Sequence, residues 1–214
     1  MGVIRIIEAQ EARNTILLRQ TPDDSTATPG AMEKNQALFG EPLTPDQVVS
    51  KIIGEVRLDG DEALREYTKL LDGADISTFK VAQDEIEQAQ AAVPEALRDA
   101  LQASAERIRA FHERQSAGAW VHWDEDGGVG QIIRPLERVG LYVPGGSAPL
   151  ASSLLMAAVP ARVAGVEEVV VTTPPGPDGH INPVILAAAG IAGVDAVYRV
   201  GGAQAIAALA YGTE

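Results

Sequence analysis

Hydrophobic positions recur at helical spacing up to about residue 120, and gather into short continuous runs from about Arg138 onward. In the first part, Thr44-Pro-Asp-Gln47 has the form of a helix start: an N-cap hydroxyl, a proline at the first helical position and a glutamine able to close a capping box. Val49, Ile52, Ile53 and Val56 then make one apolar face. Asp61 is positioned to cap a following helix whose Leu64, Tyr67, Leu70 and Leu71 would turn inward. Pro94 opens a long helix with a stripe of Leu97, Leu101, Ala105, Ile108 and Phe111. Residues 20–42 are rich in Thr, Pro, Asp, Gly and Asn and read as a loop or mobile arm.

In the second part the order becomes strand, loop, helix, repeated. The runs Val139–Val143, Val169–Thr173 and Ala196–Val200 begin 30 and 27 residues apart, the length of a βαβ unit. Continuous β-branched runs predict strands of a parallel sheet buried on both faces. The helices between them fall at about Ser152–Ala164, where Pro160 predicts a kink or break, and Pro183–Ala192, capped by Asn182. The apolar stretch Ala203–Tyr211, interrupted only by Gln204, predicts a fully buried helix. The fold class is α/β: a helical N-terminal region followed by an incomplete Rossmann-like parallel βαβ domain. Its divisions are an arm and loop over 1–43, a mainly helical region over 44–135 and the βαβ domain over 136–214.

Two strands end in paired glycines just before a helix, Gly145-Gly146 and Gly201-Gly202. Glycine lets a ligand approach the backbone, and a helix N-terminus offers free N–H groups and positive dipole. Both turns lie at the carboxyl ends of parallel strands, where open α/β sheets bind ligands. An anion or dinucleotide site and a purely steric use of glycine are both consistent with this pattern. No G-x-G-x-x-G fingerprint accompanies it. Ser147 and Ser152 stand near the first turn without an identifiable base, which argues against a nucleophile. Pro174–Ile181 reads as an ordinary surface connection.

Composition narrows the partners. The chain has no cysteine, so it can form no disulfide and no thiolate metal site. Its net charge of −13 and four scattered lysines argue against nucleic acid. No apolar run reaches the roughly 20 residues of a membrane span, and no secretory signal opens the chain, so a cytoplasmic location is expected. The three histidines, His112, His122 and His180, fit no metal site by spacing.

Longer blocks carry a resemblance. Arg138-Val-Gly-Leu-Tyr-Val-Pro-Gly-Gly-Ser-Ala-Pro-Leu150, Leu155-Met-Ala-Ala-Val-Pro-Ala-Arg-Val-Ala-Gly-Val166 and Val200-Gly-Gly-Ala-Gln-Ala-Ile-Ala-Ala-Leu-Ala-Tyr-Gly-Thr-Glu214 resemble, in order, the histidinol dehydrogenase family. Weaker matches (Gly60-Asp61, Ala63-Leu64, Phe111-His112, Gln115, Asp126-Gly127) extend the resemblance over residues 44–214. Many relatives carry Thr, Pro and Asn where Ser147, Ala151 and Ala157 stand here.

The resemblance implies oxidation of L-histidinol to L-histidine through L-histidinal with two NAD, in a homodimer whose zinc ion holds the substrate. It assigns cofactor contacts to Tyr142 and Gln204. From the residues alone, each has a second reading: a core aromatic for Tyr142 and a capping amide for Gln204. The family's zinc ligands and Glu-His acid/base pair are expected downstream of Glu214, so no catalytic or metal residue is assigned here. The chain accordingly reads as an N-terminal portion, inactive alone. The alternatives are a relative acting on another small alcohol, such as a sulfonated diol, and a non-catalytic nucleotide-binding module.

Overall fold

The computed structural model describes residues 6–18, 29–115, 118–145 and 148–213. Gly146, Ser147 and Glu214 lie outside them. Two compact units divide the chain, Met1–Ser50 and Lys51–Glu214. The first unit holds α1 (Ala9–Asn14), α2 (Pro29–Phe39) and the start of α3 (Pro45–Asp59). The loop expected over 20–42 is corrected by α2. Pro29 and Gly30 stand in its first turn, where a missing N–H costs nothing, and Ala31–Phe39 is rich in good helix formers. Thr44 and Gln47 close the expected capping box: the Thr44 N–H donates to Gln47 Oε1 at 2.9 Å, and the Gln47 N–H donates to Thr44 Oγ1 at 3.4 Å.

In the second unit, α3 is followed by α4 (Asp61–Tyr67) and a π-helical turn, Thr68–Asp72. Gly60, not Asp61, is the N-cap; Asp61 is the first helical residue and favours the positive end of the dipole without capping it. Of the face expected on α3, Ile52 and Val56 are buried while Val49 is exposed. Leu64 and Tyr67 are buried as expected, but Leu70 and Leu71 are exposed, because the π-turn shifts the phase of the apolar face. Next come α5 (Gln83–Ala92) and α6 (Glu95–Glu113), on which Leu101 and Ala105 are buried and Phe111 is 61% exposed. A hairpin follows, β1 (Trp120–Asp124) and β2 (Gly127–Gln131), turned at Asp126, whose N–H donates to Asp124 Oδ1.

The parallel sheet has the order β3 (Arg138–Tyr142), β4 (Glu168–Thr173), β5 (Ala196–Arg199). Helices α7 (Ala151–Val163) and α8 (Pro183–Ala192) connect them, and α9 (Gly202–Tyr211) follows β5. The Asn182 side chain accepts from the Val184 N–H at 2.9 Å, as its cap position predicts. Helix α7 runs on through Pro160 to Val163, so the expected break does not occur. One sheet face, with Val169, Val171 and Val197, packs with α5, α6, α7 and α8 in the main core, around Leu154, Leu155, Val159, Ile185 and Leu186. Burying each such aliphatic side chain contributes roughly 2 kcal/mol. The other face, with Gly140 and Val170, meets α9: a Cβ at Gly140 would stand 2.7 Å from Leu209.

Only β4 is covered throughout. Along β3, exposed and half-buried residues alternate, which corrects the expectation of strands buried on both faces. The edges explain the difference. The outer edge of β5 is covered by Phe79–Val81, which pairs antiparallel with it through the Arg199 N–H to the Phe79 carbonyl (2.8 Å) and the Val81 N–H to the Val197 carbonyl (2.9 Å). Among the described residues no strand pairs with the outer edge of β3. Helix α9 is also only half covered: Gln204, Ala205 and Ala207 are buried, but Ile206 and Tyr211 are exposed, against the expectation of a fully buried helix.

Candidate functional site

An open cleft of about 1270 Å³ lies at the carboxyl ends of the parallel strands. This is where the Rossmann-like pattern places a ligand. Tyr142 ends β3, Thr173 ends β4 and Gly202 opens α9, and all three line it. The loop 174–183 forms another wall, which corrects its reading as an ordinary surface connection. Pro174 explains two of the glycines. A Cβ at Gly145 would stand 2.4 Å from Pro174 Cγ, and one at Gly201 would stand 2.5 Å from Pro174 Cβ. Gly145 and Gly201 therefore close on one proline ring and serve packing.

Tyr142 and Gln204 meet at Gly202. Tyr142 is two residues beyond Gly140, so its side chain falls on the α9 face of the sheet. Its hydroxyl accepts a long hydrogen bond, 3.4 Å, from the Gly202 N–H. Tyr142 lines the cleft and is 38% exposed as a residue. Gln204, in the first turn of α9, is 1% exposed. A Cβ on Gly202 would stand 2.5 Å from Gln204 Oε1, so the amide lies directly behind this glycine. Gly202 has φ +64°, a conformation that side-chain-bearing residues seldom adopt. Neither Gln204 Oε1 nor Nε2 has a hydrogen-bond partner among the described residues. A capping amide would be bonded to a backbone group, so the capping reading of Gln204 has no contact to support it.

Asp72 and Glu85, also at the cleft, have no counterpart in the sequence pattern. Asp72, the last residue of the π-turn, lines the cleft, and its buried Oδ2 has no partner among the described residues. Burial pushes its carboxyl up to about 6. Glu85 on α5 also lines it and is paired with Arg199 of β5, whose Nη1 donates to the Thr78 carbonyl at 3.3 Å. Asp178 and His180 complete the titratable lining; no Lys or Arg contributes to it among the described residues. The Asp178 carboxylate accepts from the His180 N–H at 3.0 Å, a local turn bond.

A dinucleotide fits these features: a long cleft, a helix N-terminus at Gly202 and a buried amide without partners. Zinc does not. No group of three or more His, Cys, Asp or Glu side chains among the described residues is arranged to hold a metal. No described helix is long and apolar enough to cross a membrane.

The family model for histidinol dehydrogenase matches residues 42–214. The chain is similar to the histidinol dehydrogenase of Deinococcus radiodurans, at 49% identity over 98% of this chain and 47% of that protein. It is 54% identical to that of Syntrophotalea carbinolica over 79% of this chain and 40% of the relative. The crystal structure of histidinol dehydrogenase from Elizabethkingia anophelis superposes with a TM-score of 0.76 at 38% identity, covering 80% of this chain and 40% of the other. The chain thus spans less than half the length of these relatives. Its motifs, its parallel sheet and these matches agree, and the chain belongs to the histidinol dehydrogenase family.

Proposed function

We propose that the cleft seats NAD, and that the protein carrying this chain oxidises L-histidinol to L-histidine through L-histidinal, the last step of histidine biosynthesis. The observation that carries the cofactor reading is the bare amide of Gln204. A buried polar group left unsatisfied costs about 1–3 kcal/mol, which a ligand relieves by pairing with it. Gly202 lines the cleft and has no side chain to stand between it and that amide. When bound, NAD supplies the hydride acceptor for alcohol and aldehyde oxidation.

The residues of this chain bind and orient. Tyr142 offers a flat ring and a hydroxyl at the cleft wall, Gln204 offers both a donor and an acceptor, and the first N–H groups of α9 favour an anionic group. Zinc ligation and the acid/base pair are assigned to residues outside this chain. A homodimer, a cytoplasmic location and L-histidinol as partner complete the proposal.

The test is made on the full-length protein. L-histidinol should drive NADH formation, Gln204→Ala should weaken NAD binding about tenfold, as loss of a buried hydrogen bond implies, and Tyr142→Ala should weaken it through loss of the ring at the cleft wall. Unchanged NAD affinity in both variants would overturn the site. NAD binding without turnover of L-histidinol would overturn the substrate.

A further inference from the structure

We infer that Asp72 is a specificity-determining residue of the cleft, taking the 2′-hydroxyl of a ribose on the bound dinucleotide and excluding a 2′-phosphate. The inference rests on the cleft being the NAD site. Asp72 reaches the cleft from the π-turn between α4 and α5, inside the family match but upstream of the three long blocks of resemblance. It is a carboxylate lining a ligand-sized cleft, with one oxygen turned into the protein and bonded to nothing described. The torsion about Cβ–Cγ has broad minima, so turning that oxygen to the cleft gives up no hydrogen bond.

An acceptor-only group in such a place calls for a donor on the ligand. A dinucleotide carries its donors on the ribose hydroxyls, and an acidic side chain on the 2′-hydroxyl is the general device by which NAD sites are made.

Charge favours the same choice. The 2′-phosphate of the alternative cofactor adds between one and two negative charges. Sites that take it supply an arginine. Here the charged lining is Asp72, Glu85 and Asp178, without a lysine or arginine among the described residues. The nearby cation, Arg199, is engaged by Glu85 and the Thr78 carbonyl and does not line the cleft. A phosphate beside Asp72 would therefore meet like charge with no counterion.

The experiment is equilibrium titration calorimetry of the full-length protein with NAD and with its 2′-phosphorylated analogue. It compares the unchanged protein with Asp72→Asn, Asp72→Ala and, as a site control, Tyr142→Ala. The expected result is NAD weakened by about tenfold in both Asp72 variants, as loss of a charge-assisted hydrogen bond implies. The phosphorylated cofactor should hold or gain affinity, so the preference for NAD narrows by at least that factor. Tyr142→Ala should weaken both cofactors without narrowing the preference. Equal changes for the two cofactors, or none, in the Asp72 variants overturn the role of Asp72, while NAD binding lost in Tyr142→Ala keeps the cleft as the NAD site. An unchanged protein that binds neither cofactor overturns both readings.

Discussion

The two ends of the parallel sheet treat polar groups in opposite ways. At the amino end of β4, Arg162 of α7 donates to the carbonyls of Gly193 (2.7 Å), Val166 (3.1 Å) and Glu167 (2.7 Å) and to Asp195 Oδ2 (2.5 Å). Asp195 also accepts from the Val169 N–H at 2.6 Å. Burial works against the Asp195 charge, but the Val169 N–H and Arg162 hold its carboxyl below the usual range. One guanidinium thus ties the turns that enter β4 and β5 to α7. At the carboxyl end, the Gln204 amide, Asp72 Oδ2 and Arg199 Nε are buried without partners among the described residues. The satisfied end is organised for stability, and the unsatisfied end keeps its hydrogen-bonding capacity for something else.

The sharpest way to break this comparison is Arg162→Ala. It removes the shared donor of three carbonyls and a carboxylate, most of them solvent-exposed, and should lower the unfolding free energy by about 2 kcal/mol, read by chemical denaturation. An effect below about 1 kcal/mol would mean that the amino end is not the stabilising one.

Gly202→Ala comes next. It forces a side chain into a positive-φ position and against Gln204 Oε1. It should cost about 1–2 kcal/mol and lower NAD affinity together with stability.

Gln204→Leu should have the opposite sign. Replacing an unsatisfied amide by an apolar group of similar volume should raise the unfolding free energy by about 1 kcal/mol while weakening NAD. A loss of stability would show that the amide is already paired in the ligand-free protein.

The smallest effect is the pH dependence at Asp72. Its folded pKa, about 6, lies above its ordinary value of 3.8, so the folded state holds the proton longer than the unfolded state. Its contribution to stability is therefore fully present below the ordinary value and is lost as pH rises through about 6. Asp72→Asn should remove that downward slope in melting temperature and leave the mutant relatively more stable at pH 8. Thermal scans across this range decide it.

What the sequence made legible was local. Thr44 and Gln47 meet within one turn, Asn182 caps its own helix, and the three strand runs need no partner to be recognised. What it hid depends on contacts between distant segments or on a change of helical phase. Leu70 and Leu71 are misplaced by any reading at constant α-helical period, because the π-turn intervenes. Residues 29–39 resemble a loop by composition because Pro29 and Gly30 have the signature of breakers, yet at this position they open a helix. The hairpin did leave a trace, an Asp-Gly turn between the Trp120–Trp123 run and Val129.

For the site, each glycine turn was visible, but not that Pro174 joins them or that Tyr142 and Gln204 meet at Gly202. Those residues come from separate strands and turns, and the resemblance alone connected Tyr142 with Gln204. Asp72 belongs to neither glycine turn and had no signal at all.

The cover on β5 has a further consequence. With Phe79–Val81 occupying that side, the sheet can be extended only beside β3. That open border ends at Tyr142, on the rim of the cleft. A strand added there would satisfy a row of backbone amides and also lengthen the wall of the cleft. In this fold, extending the sheet and extending the cleft are the same event.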